Sequence, residues 1–308
     1  MTTVWLPQPP ESFGGLPDGM TADVWTGAEP LPESADEVEI IVMPFRVRPE
    51  LIAKVARLPR LKLIQLRSAG AEAVFPYVPD GVTLANARGA HDPATAEWVV
   101  GAIFAQLRNL PRFTRAQLVA RWDPAPSESV AGKHVLIVGY GSIGAAVERR
   151  LAGWEVTIER VARRARPGTQ DAPVLGTESL PEALPRADVV VLLVPVTEET
   201  CGMADAKFLS CMKDGALLVN AARGPIVDTE ALLRELDSGR LRAALDVTDP
   251  EPLPDGHPLW KAPGLLLTPH VGGLVMSGLA RANAVVRAQL GRYTAGEPLE
   301  NLVGDQGY

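Results

Sequence analysis

The sequence predicts an α/β protein of two domains, each built on a parallel sheet. Three observations carry that expectation. Short apolar runs alternate with helix-like segments along the 308 residues, the pattern of strands joined by helical crossovers. A long periodic helix and a Pro-containing stretch separate an N-terminal set of these runs from a C-terminal set. In the second set a glycine-rich turn stands between a strand and a helix. The length suits one large or two medium domains. At 46% hydrophobic residues there is enough apolar material for full cores.

In the first domain residues 38–43 read as a buried strand stopped by Pro44. Residues 49–58 read as a helix, with Pro49 in its first turn and Pro59 beyond its end. Residues 61–66 form the next strand and 82–85 another. A long helix is expected from about 94 to about 118, where Ala96, Val99, Val100, Ile103 and Leu107 keep a 3.6-residue period. Pro111 should bend or break it. Residues 122–127, with Pro124 and Pro126, read as the linker before the second domain. That domain opens with a strand at 134–138, then the glycine turn and a helix over 143–151. Strands recur at 156–162, 189–194, 216–219, 243–247 and 265–267, with a helix clearest at 229–236. The order describes a doubly wound sheet. A last helix, from about 278 to 293, is expected to return to the first domain.

The formal charge of −7 and the lack of a basic stripe argue against a nucleic-acid partner. Cys201 and Cys211 have no metal-ligand spacing and read as reduced thiols of a cytoplasmic protein, with no metal site. The first ten residues lack the basic start and apolar core of a signal peptide. No apolar run approaches the roughly 20 residues of a membrane span. The expected partner is a small molecule.

Gly139, Tyr140, Gly141, Ser142, Ile143 and Gly144 make the glycine turn. Gly139 permits the tight turn, Gly141 lets backbone approach a pyrophosphate, and Gly144 lets helix and strand pack closely. The helix that follows offers free N–H groups and partial positive charge to phosphates. A strand before and a helix after make this a Rossmann-type dinucleotide site rather than a plain turn. An acid about 20 residues on would bind the ribose 2′-hydroxyl and favour NAD. Ala162 stands there, followed by Arg163 and Arg164, so a 2′-phosphate is tolerated and paired. The expectation is NADP preferred and NAD accepted. Two alternatives stay open: a solvated arginine turn, and Glu159 as the acid if the strand ends early.

Three residues further on form a hydride-transfer set. Arg223 stands just beyond a strand, where it faces the ligand crevice and can fork onto a carboxylate; the alternative is a surface arginine in a turn. Asp246 ends the next strand, and Glu251 follows in a loop stiffened by Pro250 and Pro252. His270 is the one histidine of four that combines a strand end with a glycine turn. A nearby carboxylate would raise its pKa and orient one ring nitrogen, suiting it to protonate an alkoxide.

With these motifs in place the chain resembles the D-isomer-specific 2-hydroxyacid dehydrogenase family over nearly its whole length. The resemblance runs through Ala96, Glu97 and Trp98, the glycine turn, Val194 and Pro195 before Thr197, and Asn220 to Gly224 with Val227 and Asp228. It continues through Asp246, Val247, Glu251, Pro252, Pro258, Leu259, Trp260 and Thr268 to His270. It implies a smaller flavodoxin-like substrate-binding domain (1–97 and 279–308) and a nucleotide-binding domain (98–278). It implies Arg223 for substrate binding, His270 as acid/base and Glu251 as its partner. It places Val194, Pro195, Thr200, Ala221, Ala222, Arg223, Asp246, His270 and Gly272 at the cofactor, with Ser68, Ala69 and Gly70 holding the substrate carboxylate through backbone amides. It implies a homodimer through the nucleotide domain, with Trp122 reaching toward the partner's site.

Departures from the family pattern bear on specificity. Ala162 with Arg163 resembles the NADPH-type reductases. Glu72 stands where Asp is usual, and Leu274 where a small residue is usual. Glu251 argues against the formate-specific branch, which carries Gln there, and Ala69 against the phosphite branch, which carries Lys. Phe45, Arg46, Arg67 and Leu274 are candidates to line the pocket. The leading reading is a reductase of small 2-oxo acids such as glyoxylate or hydroxypyruvate. The alternative is a non-catalytic, cofactor-sensing protein resembling the corepressors of this fold.

Overall fold

The computed structural model describes residues 1–45, 47–168 and 172–304. Arg46, a pocket candidate, lies outside the described residues. The chain separates into two compact units, Met1–His91 with Val275–Tyr308, and Asp92–Leu274. The first unit carries strands β1 (Thr2–Leu6), β2 (Met20–Val24), β3 (Val38–Val42), β4 (Leu63–Gln65) and β5 (Thr83–Ala85). The second carries β6 (His134–Val138), β7 (Thr157–Val161), β8 (Val189–Leu192), β9 (Leu217–Asn220), β10 (Arg242–Leu245) and β11 (Leu265–Leu267). The α-helices are α1 (Pro49–Val55), α2 (Asp92–Leu107), α3 (Leu110–Leu118), α4 (Ser142–Leu151), α5 (Leu180–Ala183), α6 (Ala206–Cys211), α7 (Thr229–Asp237) and α8 (Gly278–Ala295).

The first unit is a parallel sheet in the order β2-β1-β3-β4-β5, the flavodoxin-like arrangement. Its strands bury both faces. Leu51, Ile52 and Val55 of α1 pack with Trp5, Ile41 and Ile64 on one side, and Val286 and Leu290 of α8 pack with Val4, Leu6, Ile40 and Val42 on the other. The last helix therefore does belong with the N-terminal strands. β1 and β2 were not anticipated. β1 hides Val4, Trp5 and Leu6 completely and so shows no alternation, while β2 is an edge strand with one buried residue. The α1 helix ends at Val55, short of the expected 58, and the chain leaves it through turns closed by Lys54 O and Val55 O.

The second unit is a six-stranded parallel sheet in the order β11-β10-β9-β8-β6-β7. A single parallel bridge, Val161 to Leu175, extends the β7 edge. Alternate residues of its strands feed two cores. Val190, Leu192 and Leu218 face α5, α6 and α7, and Val135, Ile137, Val191 and Val219 face α2 and α4. Burial on both faces explains why these strands read as continuous apolar runs.

The long helix of the sequence reading is two helices. The break falls at Asn109, which takes φ 55°, and Pro111 sits in the first turn of α3 where its missing N–H costs nothing. The supposed linker at 122–127 lies within the second unit. Asn109 Nδ2 donates to Pro126 O at 2.9 Å, Glu128 N to Leu107 O at 2.9 Å, and Arg112 Nε to Asp123 at 2.9 Å. Proline content marked a loop correctly but did not say what the loop separates. Cys201 and Cys211 are free thiols, and among the described residues no helix is long and apolar enough to cross a membrane.

Candidate active site

Strand β6 delivers the chain to Gly139, whose φ is 99°. A Cβ there would stand 2.5 Å from Leu193 C and 2.6 Å from Val194 N, so only glycine fits against the end of β8. The Gly139 and Tyr140 amides donate to Val161 O at 2.9 and 3.0 Å. At Gly144 a Cβ would lie 3.2 Å from Gly139 O, which is the close helix–strand approach expected of it. At Gly141 a Cβ would meet nothing within 4 Å. The turn is therefore tight where it touches protein and open where α4 begins with its unpaired N–H groups. That bare cradle at a ten-residue helix suits the pyrophosphate of a dinucleotide.

Tyr140 turns its side chain inward. Its hydroxyl donates to Glu148 of α4, which also pairs with the buried Arg160 of β7 through Nε at 2.9 Å and through a second nitrogen. Hydrogen bonding to Arg160, reinforced by Tyr140, holds the Glu148 carboxyl below its usual range. The trio fastens the glycine turn to α4 and β7.

Strand β7 runs to Val161, so Glu159 lies inside it. Its carboxylate is engaged by His134 Nε2 at 3.1 Å and Arg186 at 2.9 Å, which removes it as the ribose acid. Ala162 and the exposed Arg163 and Arg164 follow. Arg166, which sequence reasoning passed over, donates to the carbonyl of Tyr140 and bridges to Val174. It pins this arginine-rich segment to the glycine turn; the run of arginines was the available signal.

The loops after β8 and β9 come next along the same sheet edge. Val194 and Pro195 follow β8, and Thr200 closes their loop by accepting from Thr197 N at 2.8 Å and donating to Pro195 O at 2.6 Å. Asn220, fully buried at the end of β9, shapes the Ala221, Ala222, Arg223 turn. It accepts from Ala222 N at 3.0 Å and donates to Arg223 O at 2.9 Å. Arg223 Nη1 donates to Ala222 O at 2.7 Å. A Cβ on Gly224 would fall 1.9 Å from Thr248 O, so this turn packs backbone to backbone on the loop after β10. Sequence reasoning assigned no role to Asn220 or Gly224, because their partners are distant or backbone.

Asp246 is buried and both of its carboxylate oxygens accept hydrogen bonds. Oδ1 takes Thr268 Oγ1 at 2.6 Å and Val271 N at 2.9 Å, and Oδ2 takes Gly272 N at 2.7 Å. Asp246 and Gly272, both expected at the cofactor, are hydrogen-bonded to each other. Together they fix the segment on either side of His270. A Cβ at Gly272 would stand 2.7 Å from Oδ2. His270 takes φ 55°, uncommon for a side-chain-bearing residue, and its amide donates to Asp246 O at 2.7 Å. In this conformation His270 Nδ1 lies 2.6 Å from Glu251 Oε1, with both side chains partly exposed. The other histidines have structural partners: His91 Nε2 with Arg67 O, His134 with Glu159, and His257 Nδ1 with Leu259 N.

In the first unit the loop after β4 carries Ser68, Ala69 and Gly70. Ser68 Oγ donates to Gly70 O at 2.8 Å, and Asn86 Nδ2 to Ala69 O at 2.9 Å. The carbonyls are thus tied inward and the loop conformation is fixed. Among the pocket candidates, Phe45 and Leu274 are exposed, and Arg67 is buried beside Phe45. Phe45 and Arg67 belong to the first unit, Leu274 to the second.

Residues 100–272 match the family described as D-isomer specific 2-hydroxyacid dehydrogenase, NAD binding domain. A glyoxylate reductase of Thermofilum pendens is 32% identical over 260 residues, covering 80% of this chain and 76% of that protein. A D-isomer specific 2-hydroxyacid dehydrogenase from Xanthobacter autotrophicus Py2, solved with NADPH and MES, superposes with TM-score 0.85 at 28% identity over 100% of this chain and 99% of its own. An NADPH-dependent glyoxylate/hydroxypyruvate reductase from Sinorhizobium meliloti, solved with NADP and sulfate, gives 0.85 at 26% identity over the whole of both chains. The fold and site define a nicotinamide-dependent oxidoreductase. The chain belongs to the D-isomer specific 2-hydroxyacid dehydrogenase family. The non-catalytic alternative draws no support from these relatives.

The Glu148 environment gives a pH signature. A carboxylate lowered in the fold contributes stability that is present above its ordinary value of 4.5 and lost as pH falls through the folded value. Glu148→Gln should therefore lower the urea midpoint at pH 7, with the gap to wild type closing as pH drops below about 4. A pH-independent gap in the denaturation curves would assign the loss to packing.

Proposed function

We propose that this chain is a reductase of small 2-oxo acids, glyoxylate and hydroxypyruvate among them, with NADPH preferred over NADH. The observation that carries the chemistry is the 2.6 Å contact between Glu251 Oε1 and His270 Nδ1. With Nδ1 donating to the carboxylate, Nε2 is the nitrogen left for the substrate oxygen. Arg223 is the second unit's group for the substrate carboxylate, and the amides of the 68–70 loop are the first unit's candidate carboxylate binders. A bound nicotinamide supplies the hydride to C2. His270 gives its Nε2 proton to the oxygen of that carbon, which completes the alcohol. Glu251 stabilises the imidazolium before transfer and keeps the ring in the required tautomer afterwards. Asp246 holds the backbone on which His270 stands, so the proton donor is placed before substrate arrives.

The cofactor preference is supported by Ala162 where an acid would favour NAD, by the engagement of Glu159 elsewhere, and by Arg163, Arg164 and Arg166 together after β7. A homodimer through the nucleotide unit is supported by the surface beyond α3. Trp122 is 94% exposed there beside Leu118 and Val119, and a cavity of 540 Å³ is lined by Phe113, Ala116, Gln117, Trp122 and Pro124 among others. Large exposed apolar side chains grouped in this way mark an association surface.

Three measurements test this reading. His270→Ala should lower kcat with glyoxylate about 10²–10⁴-fold while cofactor affinity by fluorescence titration stays within a few-fold; near-normal turnover rejects the assignment. The double replacement Arg163→Ala with Arg164→Ala should cut kcat/KM for NADPH about 10–100-fold and leave NADH little changed. Equal efficiency of wild type with both cofactors would remove the preference. Trp122→Glu should move the protein toward monomer in light scattering; a wild-type monomer contradicts the dimer.

A further inference from the structure

We propose that Thr268 is a positioning residue for the proton donor: its hydroxyl sets the Asp246 carboxylate, and that carboxylate holds His270 in the backbone conformation that meets Glu251. That His270 is the donor rests on the reductase reading, and every group named here belongs to the second unit.

His270 stands at φ 55°, in the left-handed region that a residue with a side chain holds only when its surroundings impose it. One residue supplies the restraint. Asp246 O accepts from His270 N at 2.7 Å, Oδ1 from Val271 N at 2.9 Å and Oδ2 from Gly272 N at 2.7 Å. Three consecutive amides are thus gathered on Asp246. Two of those bonds need the carboxylate turned so that each oxygen faces its own amide, and the last torsion of an aspartate is soft. Thr268 Oγ1 donates to Oδ1 at 2.6 Å and opposes that rotation. Among the described residues it is the one side chain hydrogen-bonded to this carboxylate.

The sheet delivers this hydroxyl. β10 and β11 pair Leu245 with Leu267, and Thr268 N donates to Leu245 O at 2.9 Å, so the next step of the register sets Thr268 beside Asp246. Pro269 keeps the residue before it extended, and the branched threonine side chain is stiff at its first torsion. A polar group on a strand end is placed more exactly than one on a loop. The order of action is therefore Thr268 to Asp246, Asp246 to the amides of residues 270–272, and that turn to the 2.6 Å contact of His270 Nδ1 with Glu251 Oε1. The acceptor on one ring nitrogen selects the tautomer. A turn that relaxes takes the ring from Glu251 and leaves the Nδ1–H form without its acceptor.

The test uses Thr268→Val, which keeps the branched shape and the strand preference and removes the hydroxyl. Val271 N still serves Oδ1, so no buried acceptor is orphaned and Tm should hold. The first readout needs no turnover. Ring-nitrogen NMR shifts of isotope-labelled histidine, with the His270 signals assigned by their loss in His270→Gln, report the tautomer of the neutral ring. Wild type and Thr268→Ser should show Nδ1–H; Thr268→Val should move toward a mixture with Nε2–H. The second readout is reduction of glyoxylate at saturating NADPH. Thr268→Val should lower kcat about 10–100-fold with KM within about threefold, and Thr268→Ser should return kcat to within about threefold of wild type. An unchanged tautomer or an unchanged kcat in Thr268→Val overturns the proposal while the reductase reading stands. So does a loss that Thr268→Ser shares, since that describes a packing role. If wild type reduces no 2-oxo acid, the reductase reading falls, and the tautomer alone then decides for or against Thr268.

Discussion

Parallel pairing of β6 to β11 is the constraint on which the second unit depends. A parallel strand can be followed by its neighbour only after a crossover that returns the chain to the opposite edge, so every strand of such a sheet ends on one side. Gly139, Val194, Arg223, Asp246 and His270 are scattered through the sequence, yet each stands just beyond a strand on that one edge. The adjacency of β10 and β11 is what lets a glutamate in the loop after one meet a histidine in the loop after the other.

Within that frame the fine placement is done by groups that do not react. Asn220 closes the turn that presents Arg223, and Asp246 collects a hydroxyl and two amides to fix the residues around His270. Charge-assisted bonds of this kind offset the cost of burying a carboxylate and give the loop one conformation. The glycines act in the opposite sense, by absence. Gly139 and Gly224 allow backbone to touch backbone at distances that any side chain would prevent. Around Arg223 and His270 the loops are held by close backbone contacts and by the short polar side chains of Asn220 and Asp246.

Charge distribution follows one rule in both units. The buried ionic groups Glu148, Arg160, Glu39 and Asp246 are satisfied by residues of their own unit. Arg67, also buried, reaches Gln8 Oε1 at 3.3 Å and packs on the Phe45 ring, with no carboxylate partner among the described residues. Surface charge follows a looser rule. Arg163 and Arg164 stand exposed after the end of β7.

Much of the second unit was legible because its signals are local. A buried parallel strand is an apolar run, a helix is a 3.6-residue period, and a glycine turn between them has few uses. The strands from β6 to β11, the helices α4 and α7, and the position of His270 at a strand end follow from neighbours in the chain. The first unit was less legible. β1 and β2 are short, one wholly buried and the other at an edge, and neither shows the alternation that announces a strand. Proline at 124 and 126 signalled irregular backbone, but only contacts with Leu107 and Asn109 decide that this segment folds back and does not divide the chain. Glu159 looked available for a ribose until His134 and Arg186 met it, and Arg67, a candidate to line the pocket, proves to be buried. In the second unit local sequence determined the strands β6 to β11 and hence the edge on which the polar groups emerge. Tertiary structure decided which of those groups are already paired, because pairing depends on neighbours in space that no local pattern specifies.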